Sequence, residues 1–258
     1  MTTPAPVRRV VDLPYREESA DPAFARCRLD LTLPAGTGWP LLVWFHGGGL
    51  RDGTREWTRG LADALAGRGV GTAAASYRLH PVARYPAYLD DAAAAVAWSL
   101  RAAQRHGADP RRVLAGGHSA GAWLAAMVGL DPSRLAAHGA SPAQLAGVIP
   151  VSGQMITHFT VREERGIPAS RIVADEASPL AHARGDAPPF LFLAADGDLP
   201  PRPEENRYLA ATLRMLGGQA EYVEIAGRDH GSIMDRAVAA GDPCLEAIVA
   251  FALAKHAP

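Results

Sequence analysis

The chain holds one lysine, Lys255, in 258 residues. A Schiff-base lysine and the lysine of a phosphate-binding P-loop are therefore without a candidate, since Lys255 stands three residues from the end. Only two cysteines are present, Cys27 and Cys244, far apart in sequence. They make no disulfide framework and no metal or redox spacing, so both are expected to be buried, reduced thiols. Excess charge is missing as well: 26 Lys and Arg against 27 Asp and Glu leave a net charge of -1. That balance gives nucleic acid or an anionic membrane nothing to hold. No apolar run is long enough to span a bilayer, and "MTTPAPVRRVVDLPYREES" has no apolar core of signal-peptide length. The expectation is a cytoplasmic protein with a small-molecule substrate and no nucleic-acid or membrane partner. A homo-oligomer is left open.

What the chain does have is apolar residues, 48% of the total, arranged in alternating strand and helix patterns. "PLLVWF" (40–45), "GTAAASY" (71–77), "RRVLAGG" (111–117), "LAGVIPVS" (145–152), "PFLFLAA" (189–195) and "AEYVEI" (220–225) read as buried strands. Between them, 85–107, 120–130, 203–218 and 243–256 read as helices, the first with Pro86 near its start and Gly107 past its end. Continuously apolar strands separated by helices predict an α/β fold, a mostly parallel central sheet with helices on both faces. Residues 1–36 alternate more and are expected to add antiparallel edge strands. No linker or repeat divides the chain, so 1–258 reads as one domain. Residues 154–188 are long, polar and irregular. A connection of that length leaving a strand's carboxyl end predicts a small cap or pocket wall.

Two glycine-rich stretches carry chemistry. "LLVWFHGGGL" (41–50) runs a buried strand straight into His46-Gly47-Gly48-Gly49. Glycines at a strand's carboxyl end present bare N–H groups, which is what an oxyanion needs about 3 Å away. His46 is expected to shape this loop, not to move a proton. "AGGHSAGAW" contains Gly117-His118-Ser119-Ala120-Gly121, the G-x-S-x-G pattern, where strand 111–117 meets helix 120–130. A strand-turn-helix of this kind holds a nucleophilic serine on strained backbone at a helix N-terminus.

"FHGGG", "SYRLHPVARYPAYLDDAAAAVAW", "GHSAGAWLAAMVGLDP", "DGDLPPRPEEN" and "GRDHGSI" together resemble the α/β-hydrolase carboxylesterases. The similarity extends to the hormone-sensitive-lipase-like esterases and to bacterial esterases of the acetyl-xylan and feruloyl type, and covers about residues 35–257. It implies the α/β-hydrolase fold and a serine triad in the order Ser, acid, His. His230 follows the last strand and is the expected base, while His256 lies near the chain end. The family pattern sets its acid just before a proline-containing turn. That favours Asp198 over Asp196, which is expected to brace the loop; Asp229 is a weaker alternative. The resemblance also implies an oxyanion hole from the N–H groups of Gly48, Gly49 and Ala120, with neither metal nor cofactor. His118, where lipase-like relatives often carry Asp, and Ala122, in place of Gly, depart from the pattern.

The function expected is hydrolysis of short-chain acyl esters, carbohydrate acetyl or aromatic esters among them, through an acyl-enzyme. An arylformamidase-type amide hydrolase and a catalytically silent binding protein are the alternatives. His118, Gln154, Met155 and His158 are expected to line the substrate pocket. Arg78 and Asp90 are expected to pair, "VREER" (161–165) to be a solvated charge run, and the carboxylates of "RPEEN" (202–206) to favour a helix start.

Overall fold

All seven residues of Trp39–Phe45 are buried, because this strand lies well inside a sheet of eight. The computed structural model describes residues 7–17, 19–168 and 170–254; Lys255 and His256 fall outside them. The strands are β1 (Arg8–Pro14), β2 (Arg28–Leu33), β3 (Trp39–Phe45), β4 (Gly71–Ala75), β5 (Ala108–His118), β6 (Gly147–Val151), β7 (Phe190–Gly197) and β8 (Ala220–Asp229). Their spatial order is β1-β2-β4-β3-β5-β6-β7-β8. β1 and β2 are antiparallel, and β3 to β8 run parallel. The expected α/β-hydrolase architecture, antiparallel edge included, is what forms.

The helices are α1 (Arg59–Ala66), α2 (Ala87–His106), α3 (Ala120–Leu130), α4 (Pro132–Ala136), α5 (Phe159–Glu164), α6 (Arg202–Met215), α7 (Ser232–Asp235) and α8 (Pro243–Leu253). Successive strand residues face opposite sides of the sheet. Leu41, Val43 and Phe45 therefore pack under α2 and α3, while Leu42 and Trp44 face the side of the sheet that carries α1 and α8. Each such Leu or Phe contributes about 1.5–3 kcal/mol by leaving water. α3 is apolar on every side and all eleven of its residues are buried, so it sits at the centre of one layer. α2 is alanine-rich, which favours helix, and stops at Gly107 in the left-handed conformation.

Three expectations need correction. Arg78 pairs with Asp91, through Nε and Nη2 at 2.8 Å, and not with Asp90. Adjacent helix residues point about 100° apart, and it is Asp91 that faces strand β4's exit. Asp90 instead meets Arg16 and His138. "VREER" is not uniformly solvated: Val161 and Arg162 are buried. Glu164 is tucked in too, accepting from Tyr85 N–H at 2.9 Å and contacting His80 at 3.1 Å. Finally, α1 occupies a stretch the apolar pattern left unassigned.

Candidate active site

The carboxyl ends of β3, β5, β7 and β8 open onto one side of the sheet, and each delivers one part of the site. After β5 the chain turns so tightly that side chains have no room. A Cβ on Gly121 would lie 2.0 Å from the Phe45 carbonyl oxygen, and one on Gly117 would lie 2.5 Å from Gly121. Between them Ser119 takes φ 55° and ψ -115°, a strained backbone for any residue with a side chain. Its hydroxyl stands at the N-terminus of α3.

After β7, Asp198 turns back under the loop. Its side chain is fully buried and accepts from His230 Nδ1 at 2.7 Å and from Leu199 N–H at 2.7 Å. Burial alone would raise its carboxyl; the bond from His230 and the neighbouring Ser152 hydroxyl outweigh this and hold it below the usual range. Because the carboxylate only accepts, His230 carries its proton on Nδ1. Nε2 is then free to accept, and Ser119 Oγ donates to it at 2.9 Å. Asp196, two residues earlier, is exposed and accepts from Gly227 and Arg228 N–H at 2.9 and 3.0 Å. Asp229 accepts from Gly231 and Ser232 N–H at 3.1 and 2.7 Å, within its own turn.

After β3, the glycine loop folds over the serine. A Cβ on Gly48 would lie 2.1 Å from the Asp52 carbonyl oxygen, and one on Gly49 would lie 2.9 Å from the Phe159 ring; both residues have positive φ. The Gly48 carbonyl accepts from Arg51 and Asp52 N–H at 3.0 Å, and the Gly49 carbonyl from Thr160 Oγ1 at 2.6 Å. Among the described residues the N–H groups of Gly48 and Gly49 donate to nothing. Ala120, first residue of α3, has no intrahelical acceptor for its N–H. His46 is buried, stacks on Tyr77 with ring centroids 4.3 Å apart, and donates from Nδ1 to the Gly47 carbonyl at 2.7 Å. Burial lowers its pKa to about 4, so it stays neutral. Tyr77, which sequence reading passed over, fixes the same loop by donating to the His46 carbonyl at 2.8 Å. Its signal was a lone tyrosine at the end of a weak strand.

These elements bound a cavity of about 750 Å³. Its floor holds Ser119 and His230; Trp57, Phe159, Leu199 and Val238 supply apolar walls. Arg202 joins them, unforeseen from the sequence. Of the four residues expected to line the pocket, His118 does so, and it donates from Nε2 to the His230 carbonyl at 2.8 Å. Gln154, Met155 and His158 do not reach the lining. They are buried behind it: Gln154 Oε1 accepts from Phe159 N–H at 2.9 Å, and His158 Nδ1 from Thr160 N–H at 3.2 Å. Gln154 and His158 thereby hold α5, and so Phe159, in place. Among the described residues no cluster of His, Cys, Asp and Glu has the makings of a metal site.

A profile of the BD-FAE family matches residues 29–148, from β2 to the start of β6. The fold is that of the α/β-hydrolases, and the chain is similar to esterases of hormone-sensitive-lipase-like type. It is 29% identical to esterase LipI of Mycobacterium tuberculosis, over 87% of this chain and 66% of that protein. It is 27% identical to the isoprenylcysteine alpha-carbonyl methylesterase ICME of Arabidopsis thaliana, over 80% of this chain and 54% of that one. The chain thus spans about half to two thirds of these relatives' lengths. Among solved structures, the thermophilic esterase Est2 of Thermogutta terrifontis is similar, with a TM-score of 0.76 and 25% identity over 95% of this chain and 91% of that chain.

Proposed function

We propose that the protein is a serine carboxylesterase acting on short-chain acyl esters. One observation carries this reading: the unbroken hydrogen-bond chain Ser119–His230–Asp198, at 2.9 and 2.7 Å, on the floor of the cavity. Ser119 Oγ attacks the ester carbonyl carbon while His230 Nε2 takes the hydroxyl proton. Asp198 keeps the ring in the tautomer that accepts on Nε2 and stabilises the imidazolium. The carbonyl oxygen becomes an oxyanion and receives the N–H groups of Gly48, Gly49 and Ala120. Collapse expels the alcohol, which takes the proton from His230. Water then attacks the acyl-enzyme, again with His230 as base, and frees the acid and Ser119. No step calls for a metal or cofactor.

The segment that follows β6 contributes one pocket wall through α5. Thr160 ties it to the glycine loop and Phe159 faces the cavity. That favours acetyl to butyryl groups on a soluble alcohol, with no activation at an interface. Two buried thiols, Cys27 and Cys244, neither in a disulfide, suit the cytoplasm.

The test is hydrolysis of p-nitrophenyl acetate, butyrate, octanoate and palmitate by wild type and by Ser119→Ala. The expected maximum in kcat/KM is at acetate or butyrate, with a loss on the order of 10⁴ or more in the variant. A folded Ser119→Ala protein with near-full activity would remove the serine from the mechanism. A maximum at octanoate or beyond would make the protein a lipase.

A further inference from the structure

Arg202 opens α6 and is 5% exposed, yet it forms part of the wall above Ser119. Its Nη1 is buried and has no hydrogen-bond partner among the described residues, and no carboxylate among them lies at ion-pair distance from the guanidinium. A guanidinium keeps its charge at any ordinary pH, and a buried charge needs a partner.

Neither carboxylate that bears on Arg202 is paired with it. Asp198 holds His230. Glu205 Oε2 accepts from Met155 N–H at 2.7 Å, while its Oε1 is buried without a hydrogen-bond partner among the described residues. Burial pushes the Glu205 carboxyl above its ordinary range, which weakens it as a counter-charge. Burial, together with Arg202, Arg162 and Arg51, holds the imidazole of His158 well below its usual pKa.

We propose that the Arg202 wall is a carboxylate subsite, so that the preferred ester carries a carboxylate on its acyl or its alcohol part. This rests on the esterase reading above. The planar fork of Arg matches a carboxylate with two parallel N–H bonds. With that anion on Arg202, the ester carbonyl is held over Ser119, while Phe159 and Leu199 pack against the apolar link between the two groups.

Two matched pairs test it in wild type, Arg202→Gln and Arg202→Lys, at one ionic strength. 4-Nitrophenyl hydrogen glutarate against 4-nitrophenyl valerate places the charge on the acyl side. 4-Acetoxybenzoate against 4-acetoxybenzamide places it on the alcohol side. In wild type the anionic member of one pair should exceed its neutral partner at least tenfold in kcat/KM, and the pair that does so identifies the side. That preference should fall below about twofold in Arg202→Gln and be partly kept in Arg202→Lys. A wild-type ratio at or below one in both pairs overturns the subsite, as does a ratio that survives Arg202→Gln. Calorimetric binding of glutarate to the full-length Ser119→Ala protein gives a readout free of turnover. Saturable binding, at least tenfold weaker once Arg202→Gln (or Arg202→Lys, should the Gln protein not fold) is added, supports the subsite, and no binding overturns it. Failure to hydrolyse any of the four esters counts against the esterase reading, and glutarate binding then decides the subsite alone.

Discussion

His118 and His230 are joined main chain to side chain: His118 Nε2 donates to the His230 carbonyl at 2.8 Å, and the two rings lie 4.8 Å apart at 39°. The residue beside the proposed nucleophile thus holds the backbone of the proposed base. Because a carbonyl only accepts, His118 carries its proton on Nε2. Burial first, then the nearby His230, lowers its pKa to about 4, so it remains a neutral donor through the working range.

His118 is therefore a positioning residue. Replacing it with Ala should lower kcat about tenfold to a hundredfold, the cost of displacing a catalytic group by up to 1 Å, with KM little changed. His118→Gln keeps an N–H donor at similar reach and should recover most of the loss. Steady-state kinetics of both variants check this; equal loss in the two would show that the hydrogen bond does not matter.

Asp198→Asn should reduce kcat on the order of 10⁴, because an amide imposes the wrong imidazole tautomer. Asp196→Asn should cost far less, since Asp196 meets only the backbone at Gly227 and Arg228. The reverse ranking, in two folded proteins, would move the acid to Asp196.

Gly121→Ala should destabilise the fold by about 3 kcal/mol or more, at the severe end of overpacking. The added Cβ would sit 2.0 Å from the Phe45 carbonyl oxygen, and backbone on both sides leaves it nowhere to move. Urea unfolding measures the effect. A midpoint equal to wild type would mean that the elbow is looser than described.

Acid should weaken the fold before its carboxylates protonate. His46 and His118 are buried with pKa about 4, and His158 lies well below its usual value. Between about pH 6.5 and 4 the unfolded chain binds protons at these positions and the folded chain does not. Stability therefore falls as pH falls through that window, by about 1.4 kcal/mol per pH unit for each histidine. Urea midpoints at pH 7, 6, 5 and 4.5 should decline steadily, and less so in His118→Gln. A flat profile would contradict the burial of these rings.

The parallel strands were legible because burial on both faces makes them apolar throughout, as in Trp39–Phe45. Ser119 and the glycines were legible because the elbow excludes side chains, and exclusion leaves a pattern of Gly and Ala. Helix α1 was not, because it is only eight residues long; Leu61, Ala62, Leu65 and Ala66 recur at helical spacing, but over too short a run to stand out from the charged residues around it. Arg202 was hidden for another reason. In "RPEEN" it looks like a polar helix start, and only tertiary packing turns its first residue inward. Gln154, Met155 and His158 show the converse. Sequence placed them beside the site, but they are buried behind the lining, and Phe159 is the residue that faces the cavity.

The backbone of Ser119 has a consequence for how such a protein changes over time. At φ 55° and ψ -115° a glycine would sit with less strain than any residue bearing a Cβ, by about 1–3 kcal/mol. Ser119→Gly should therefore give a protein that is inert and yet harder to unfold. If Ser119 is the nucleophile, as proposed, stability and turnover pull in opposite directions at this one position, and a lineage released from the need for the proposed hydrolysis has a downhill path to losing the hydroxyl first.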